Sequence, residues 1–119
     1  MDKHDAHHQT AVAELVRMNE AKTLFILPAV VLSEVLVGSA RQGDDTVELR
    51  RAMLAEAFGR ARVIDEEVGV RAVKLRARHQ SLRLPDALVI ATGIVDDVDT
   101  VLTADKRWAG IDDRVQVLG

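Results

Sequence analysis

Three carboxylates stand in apolar sequence, where an acid is out of place: Glu34, Asp86 and Asp105. Glu34 is the only charged residue between Lys22 and Arg41, and it is flanked by Val30, Val31, Leu32, Val35 and Leu36. A helix there is expected to bury most of its surface, and burying a carboxylate without a partner is expensive. Asp86 follows Pro85 and precedes an unbroken apolar run, residues 87–91. Asp105 lies just past residues 100–103, which read as a strand, and in open α/β sheets ligands bind outside the carboxyl ends of the strands. Hard divalent cations such as Mg²⁺ are held by a few carboxylates, by water and by the substrate's phosphate oxygens. A cation so held acidifies a water and neutralises charge on a leaving oxygen, which is the chemistry of phosphodiester hydrolysis.

Each acid also has an ordinary structural role open to it. Glu34 can occupy a solvent-facing stripe or pair with an arginine. Asp86, in the first turn of a helix, is stabilised by the helix dipole without any further duty. Asp105 in Ala104-Asp105-Lys106 suits a simple turn.

The segments that must position these acids alternate between two kinds. Residues 6–21 carry Val12, Leu15, Val16 and Met18 near helical spacing, with Asp5 as a cap. Residues 24–27 read as a short buried strand, and 28–37 as a helix stopped by Gly38. Asp44, Asp45 and Thr46 offer a cap for a helix in which Val47, Leu54 and Phe58 share one face, with Leu49, Met53 and Ala57 beside them. Val63 and Ile64 form a short strand. Residues 66–79 form a helix with Val68, Ala72, Leu75 and His79 on one face and basic residues on the other. Pro85 opens a helix to about Val95, ended by Asp96, Asp97 and Asp99, and strands follow at 100–103 and 115–118. Strands alternating with amphipathic helices indicate an α/β fold with a mainly parallel sheet covered on both faces. A chain of 119 residues has room for one such domain.

Hydrophobic residues make up 48% and aromatics only 3%, so the core must be aliphatic. The absence of cysteine excludes disulfides, thiolate zinc sites and cysteine nucleophiles, and a cytoplasmic location is expected. The longest apolar run, residues 24–32, is far shorter than a membrane span, and residues 1–10 lack the hydrophobic region of a signal peptide, so no membrane attachment is expected. The net charge of −3 hides a local basic block: residues 68–85 contain no acid but hold Arg71, Lys74, Arg76, Arg78 and Arg83. That block either attracts nucleic-acid phosphates or is a solvated helix face. No aromatic residue interleaves with it, so base stacking is not indicated. Trp108 reads as a core or interface residue. His4, His7 and His8 stand in polar sequence without a fixed fourth ligand and read as solvated.

Three segments together resemble the PIN-domain family, in particular the VapC-type toxin ribonucleases of toxin–antitoxin pairs. LPAVVLSEV at 27–35 is similar to the family's strand-to-helix segment whose glutamate binds metal. LPDALVIAT at 84–92 resembles the helix that supplies a catalytic aspartate, and VLTADKRW at 101–108 resembles the strand end carrying the final acid, with Thr103 beside it. The resemblance covers nearly the whole chain and implies a single PIN-like domain over 1–119, a three-layer α/β/α fold with a mainly parallel central sheet. It implies an endoribonuclease whose Glu34, Asp86 and Asp105 hold Mg²⁺ or Mn²⁺, with Thr103 as a hydrogen-bonding support. It further implies a homodimer neutralised by a small VapB-like antitoxin. Family members normally open with a strand carrying an aspartate. This chain opens at MDKHDAHH, similar to a later part of that pattern, and neither Asp2 nor Asp5 is assigned the role. The first strand and first catalytic aspartate are therefore expected to be missing. The alternative is a catalytically inactive PIN-like module acting only in antitoxin binding or dimerisation. A phosphotransfer receiver or phosphatase of similar build would need an aspartate on an N-terminal strand, which the chain does not supply.

Overall fold

A computed structural model describes residues 25–119. The helix expected at 6–21 and the histidines His4, His7 and His8 lie outside the described residues. Along the chain come α1 (Ala29–Ala40), α2 (Asp44–Phe58), α3 (Glu66–Arg78), α4 (Leu84–Val95), β1 (Val101–Thr103), a 3₁₀ turn (Lys106–Trp108) and β2 (Val115–Val117).

The best-buried part of the molecule is the seam between α3 and α4. The Asp65 side chain caps α3 by accepting a hydrogen bond from the Val68 N–H at 3.0 Å. Glu66 and Glu67 in the first turn and Arg76 and Arg78 in the last complement the helix dipole. Val68, Ala72 and Leu75 form the buried stripe. Against it α4 sets Ala87, Ile90 and Ala91, and Leu82, Val101 and Trp108 complete the cluster. Val68 and Ile90 are its largest fully buried side chains. Truncating a side chain of that size in a core costs about 2–5 kcal/mol.

A tight approach joins this seam to the sheet. A Cβ on Gly93 would collide with the Val101 side chain, so glycine is what lets α4 lie close against β1. After the Asp96–Asp97 turn, in which Asp97 takes a left-handed φ of 51°, the chain enters β1. β1 pairs with β2 in parallel register, Val101 with Val115, Leu102 with Gln116 and Thr103 with Val117. Among the described residues the sheet has these two strands, and helices with a small parallel sheet make an α/β fold. The helices and strands expected at 66–79, 85–95, 100–103 and 115–118 are present within a residue or two of those bounds.

Other expectations require correction. Residues 25–27 are not a strand, and neither are Val63 and Ile64, which are exposed. The two stretches meet in a single parallel bridge, Pro28 with Arg62. There the Ala29 N–H donates to the Arg62 carbonyl and the Arg62 N–H to the Leu27 carbonyl, each at 2.8 Å. Past Arg62 the chain turns into the Asp65 cap of α3, which ends the pairing. Gly38 does not stop α1, which continues to Ala40; Arg41 still has right-handed helical φ and ψ. Asp44 opens α2 rather than capping it, and the capping position is Gly43 with a φ of 129°. Nor is α1 buried. Ser39 is its only buried residue, and Val35 and Val37 are each 50% exposed. A helix apolar nearly all round has no single face that sequence can assign to the core. In α2 the expected face holds in part: Val47, Leu54 and Phe58 are half-buried while Leu49 and Met53 are exposed. The Phe58 ring meets Phe25 edge to face, with centroids 6.0 Å apart.

Candidate active site

Asp105 is fixed by its own backbone and by its neighbours. Its N–H donates to Thr103 Oγ1 at 3.0 Å, so the last residue of β1 sets the direction of the chain that follows. Its Oδ1 accepts from the Arg107 N–H at 2.9 Å, capping the 3₁₀ turn. The Arg107 guanidinium then closes on the same carboxylate through two parallel bonds, Nε–Oδ1 at 3.0 Å and Nη2–Oδ2 at 2.7 Å. The side-chain bonds from Arg107 hold the Asp105 carboxyl at a pKa of about 2, against 3.8 ordinarily; the Arg107 backbone N–H and the charges of Arg107 and Arg83 add to this. Asp105 is therefore an anion throughout the neutral range.

Asp86 sits in the first turn of α4 and is held by Arg83, three residues before it, with Nε–Oδ2 at 3.5 Å. The two ion pairs share one neighbourhood. Asp86 adds to the field that raises the Arg107 pKa, behind the larger contribution of Asp105, and Arg83 acts in turn on Asp105. The close approach of Gly93 to Val101 brings the start of β1 against α4. Both acids are recessed and both arginines stand outside them. The Asp86 and Asp105 side chains are 15% and 28% exposed, while those of Arg83 and Arg107 are 70% and 73% exposed.

Glu34 is placed differently. It is exposed, which overturns the expectation that its apolar neighbours would bury it. It lies with Ala29, Val30 and Ser33 on one wall of a shallow groove whose other wall includes Ile64, Leu84, Pro85 and Leu88. Glu34 thus opens onto the residues that flank Asp86. Among the described residues no three acids or histidines are grouped closely enough to hold a metal ion together. Each ordinary role left open by the sequence is visible as geometry: a solvent-facing Glu34, a first-turn Asp86 and a turn-capping Asp105. What the sequence did not reveal is the part played by Arg83 and Arg107. The Arg83-Asp86 spacing was available as a signal, since residues three apart in a first turn face one another, whereas Arg107, two residues past Asp105, meets it through the cap of the 3₁₀ turn.

A Mg²⁺-type ion is commonly held by one or two carboxylates, with waters and substrate phosphates completing its shell, and Asp86 and Asp105 are the half-buried carboxylates that would supply them. Trp108 is a core residue, and its buried Nε1 has no acceptor among the described residues. No helix among the described residues is long and apolar enough to cross a membrane. No curated protein and no solved structure matches the chain. The model of the PIN domain, a family whose members are typically nucleases commonly using divalent metals, matches residues 3–114. With nearly all of its length so matched, the chain belongs to the PIN domain family.

Proposed function

We propose that this protein is a metal-dependent endoribonuclease of the VapC toxin type, with Asp86 and Asp105 as the core of its active site. The observation that supports this reading is that Asp86, in the first turn of α4, and Asp105, just past β1, are half-buried acids whose ion pairs act on one another electrostatically in a PIN-domain chain. Asp86 and Asp105 would hold Mg²⁺ or Mn²⁺, and Glu34 would join them from the facing wall of the groove. The chemistry such a cation supplies is acidification of water and neutralisation of charge on the phosphate. Thr103 keeps Asp105 in place by accepting its N–H. Arg83 and Arg107, already at the rim, offer planar, permanently charged donors to phosphate oxygens. A VapB-like antitoxin, a homodimer, a cytoplasmic location and a three-layer α/β/α arrangement belong to the same proposal.

Cleavage of a single-stranded RNA in Mn²⁺ tests it. Asp86→Asn, Asp105→Asn and Glu34→Gln are each expected to lower the rate at least a hundredfold, the scale of one lost electrostatic contact in a site. Unchanged rates in all three would refute the assignment.

One observation favours a second reading, an inactive PIN-like module used only for antitoxin binding or dimerisation. The two acids are already matched by arginines, and α1 and α2 leave Val35, Val37, Leu49 and Met53 at least half exposed. Antitoxin binding with no RNA cleavage under any divalent cation would select that reading.

A further inference from the structure

Arg71, Lys74 and Arg78 recur at i, i+3 and i+7 along α3 and so form one stripe on a flank of the helix, about a quarter turn from its buried residues Val68, Ala72 and Leu75. All three are exposed. Among the described residues none of them holds a carboxylate, whereas Arg51, Arg62, Arg83, Arg107 and Arg114 each do. Even Glu67, four residues before Arg71, makes no ion pair with it. Arg71 and Arg78 are about 10 Å apart along the helix axis, enough for the three cations to meet successive phosphates.

The stripe also leads somewhere. α3 ends in a tight turn closed by the Leu82 N–H on the His79 carbonyl at 2.9 Å. Arg76, on the other flank, fastens that turn through a 3.0 Å bond from Nε to the Leu82 carbonyl. The next residue is Arg83, which holds Asp86. Along the chain, the cations of α3 are thus followed, past a fixed turn, by Arg83 and the acid that it holds.

We propose that this stripe is the surface on which a single-stranded RNA backbone is held as it enters the Asp86–Asp105 site. The inference rests on the nuclease reading above. The contact is with phosphates and is independent of base sequence: α3 has no aromatic residue, and the other exposed residues on or beside the stripe are Glu67, at its N-terminal end, and Val70. An acidic protein would also suit a basic stripe, but it would give no reason for the cations to continue to the acid pair.

The test is binding of a fluorescent single-stranded RNA to the full chain in EDTA, followed by anisotropy across a range of KCl concentrations. Each cation that neutralises a phosphate on a single strand contributes about 0.7 to the slope of log affinity against log salt. The R71Q/K74Q/R78Q variant is therefore expected to lose about 2 from that slope and to bind at least tenfold more weakly at 0.1 M salt. Glutamine keeps helix propensity close to that of Lys and Arg, and circular dichroism checks that the fold is retained. R41Q/R50Q/R60Q, an equal change of charge elsewhere on the exposed surface, is expected to leave the slope nearly unchanged. Equal losses in the two triple variants, no loss in the first, or displacement of the RNA by polyglutamate at equal charge concentration would each overturn the proposal. Because metal is absent, slope loss in the first variant together with no Mn²⁺-dependent cleavage would keep the surface and reject the nuclease. Cleavage with an unchanged slope would do the reverse.

Discussion

Arg107 grips Asp105 through two parallel hydrogen bonds, and Asp86 lies close enough to reinforce the positive charge on that same guanidinium. Each acid thus faces a cation of the chain itself, Asp86 with Arg83 and Asp105 with Arg107. Removing that cation has a definite consequence for titration. In Arg107→Gln the main cause of the depressed Asp105 pKa is gone, and its midpoint should move from about 2 up toward 3.8. The folded-state pKa lies below the unfolded one, so the contribution to stability is present above about pH 4 and is lost as pH falls toward 2. Carboxyl NMR of Asp105 reads the midpoint, and acid unfolding of Arg107→Gln should lose less stability than wild type between pH 4 and 2. An unmoved midpoint would show that the bidentate pair does not persist in solution.

Gly93 gives a second prediction. A methyl group there runs into Val101, a buried, β-branched side chain that has little freedom to withdraw. Gly93→Ala should therefore destabilise the protein by about 1–3 kcal/mol, the usual cost of overpacking. This is opposite in sign to the helix-propensity gain expected at an exposed glycine. Urea unfolding decides the sign.

How much of this was legible in the sequence depended on period. In α3 the recurrence of Val68, Ala72 and Leu75 fixed both the helix and its buried face, and Pro85 and Asp96 bracketed α4. The 28–37 run had composition but no period, so its helix was legible and its burial was not. Glu34, expected to lie in a largely buried helix, proves to be exposed, and the neighbouring Val35 and Val37 show that its surroundings are not core. Val63 and Ile64 suited a strand by type. The bridge formed instead at Arg62, because Arg62 is anchored by its two-pronged bond to Asp96 at the end of α4 and by Asp65. Such a contact spans 34 positions and leaves no local signal. The electrostatic influence of Asp86 on Arg107 and of Arg83 on Asp105 left no local signal for the same reason.

Thr103 allows a separation of stability from chemistry. In Thr103→Val the shape and strand propensity of the side chain are kept, but the Asp105 N–H loses its acceptor. The expected loss is about 1 kcal/mol in urea unfolding. RNA cleavage should fall about tenfold as Asp105 is released, and Thr103→Ser should restore both. Full activity in Thr103→Val would mean that Asp105 is held without it.

The most direct measurement is Mn²⁺ binding to the wild-type chain, to Asp86→Asn, to Asp105→Asn and to the double variant, by calorimetry at neutral pH. If the two carboxylates hold one ion jointly, each single substitution weakens binding at least tenfold, and the double variant is little worse than the weaker single one. Wild-type affinity in both single variants would contradict the account, because the acid pair would then be only two local ion pairs, Asp86 with Arg83 and Asp105 with Arg107.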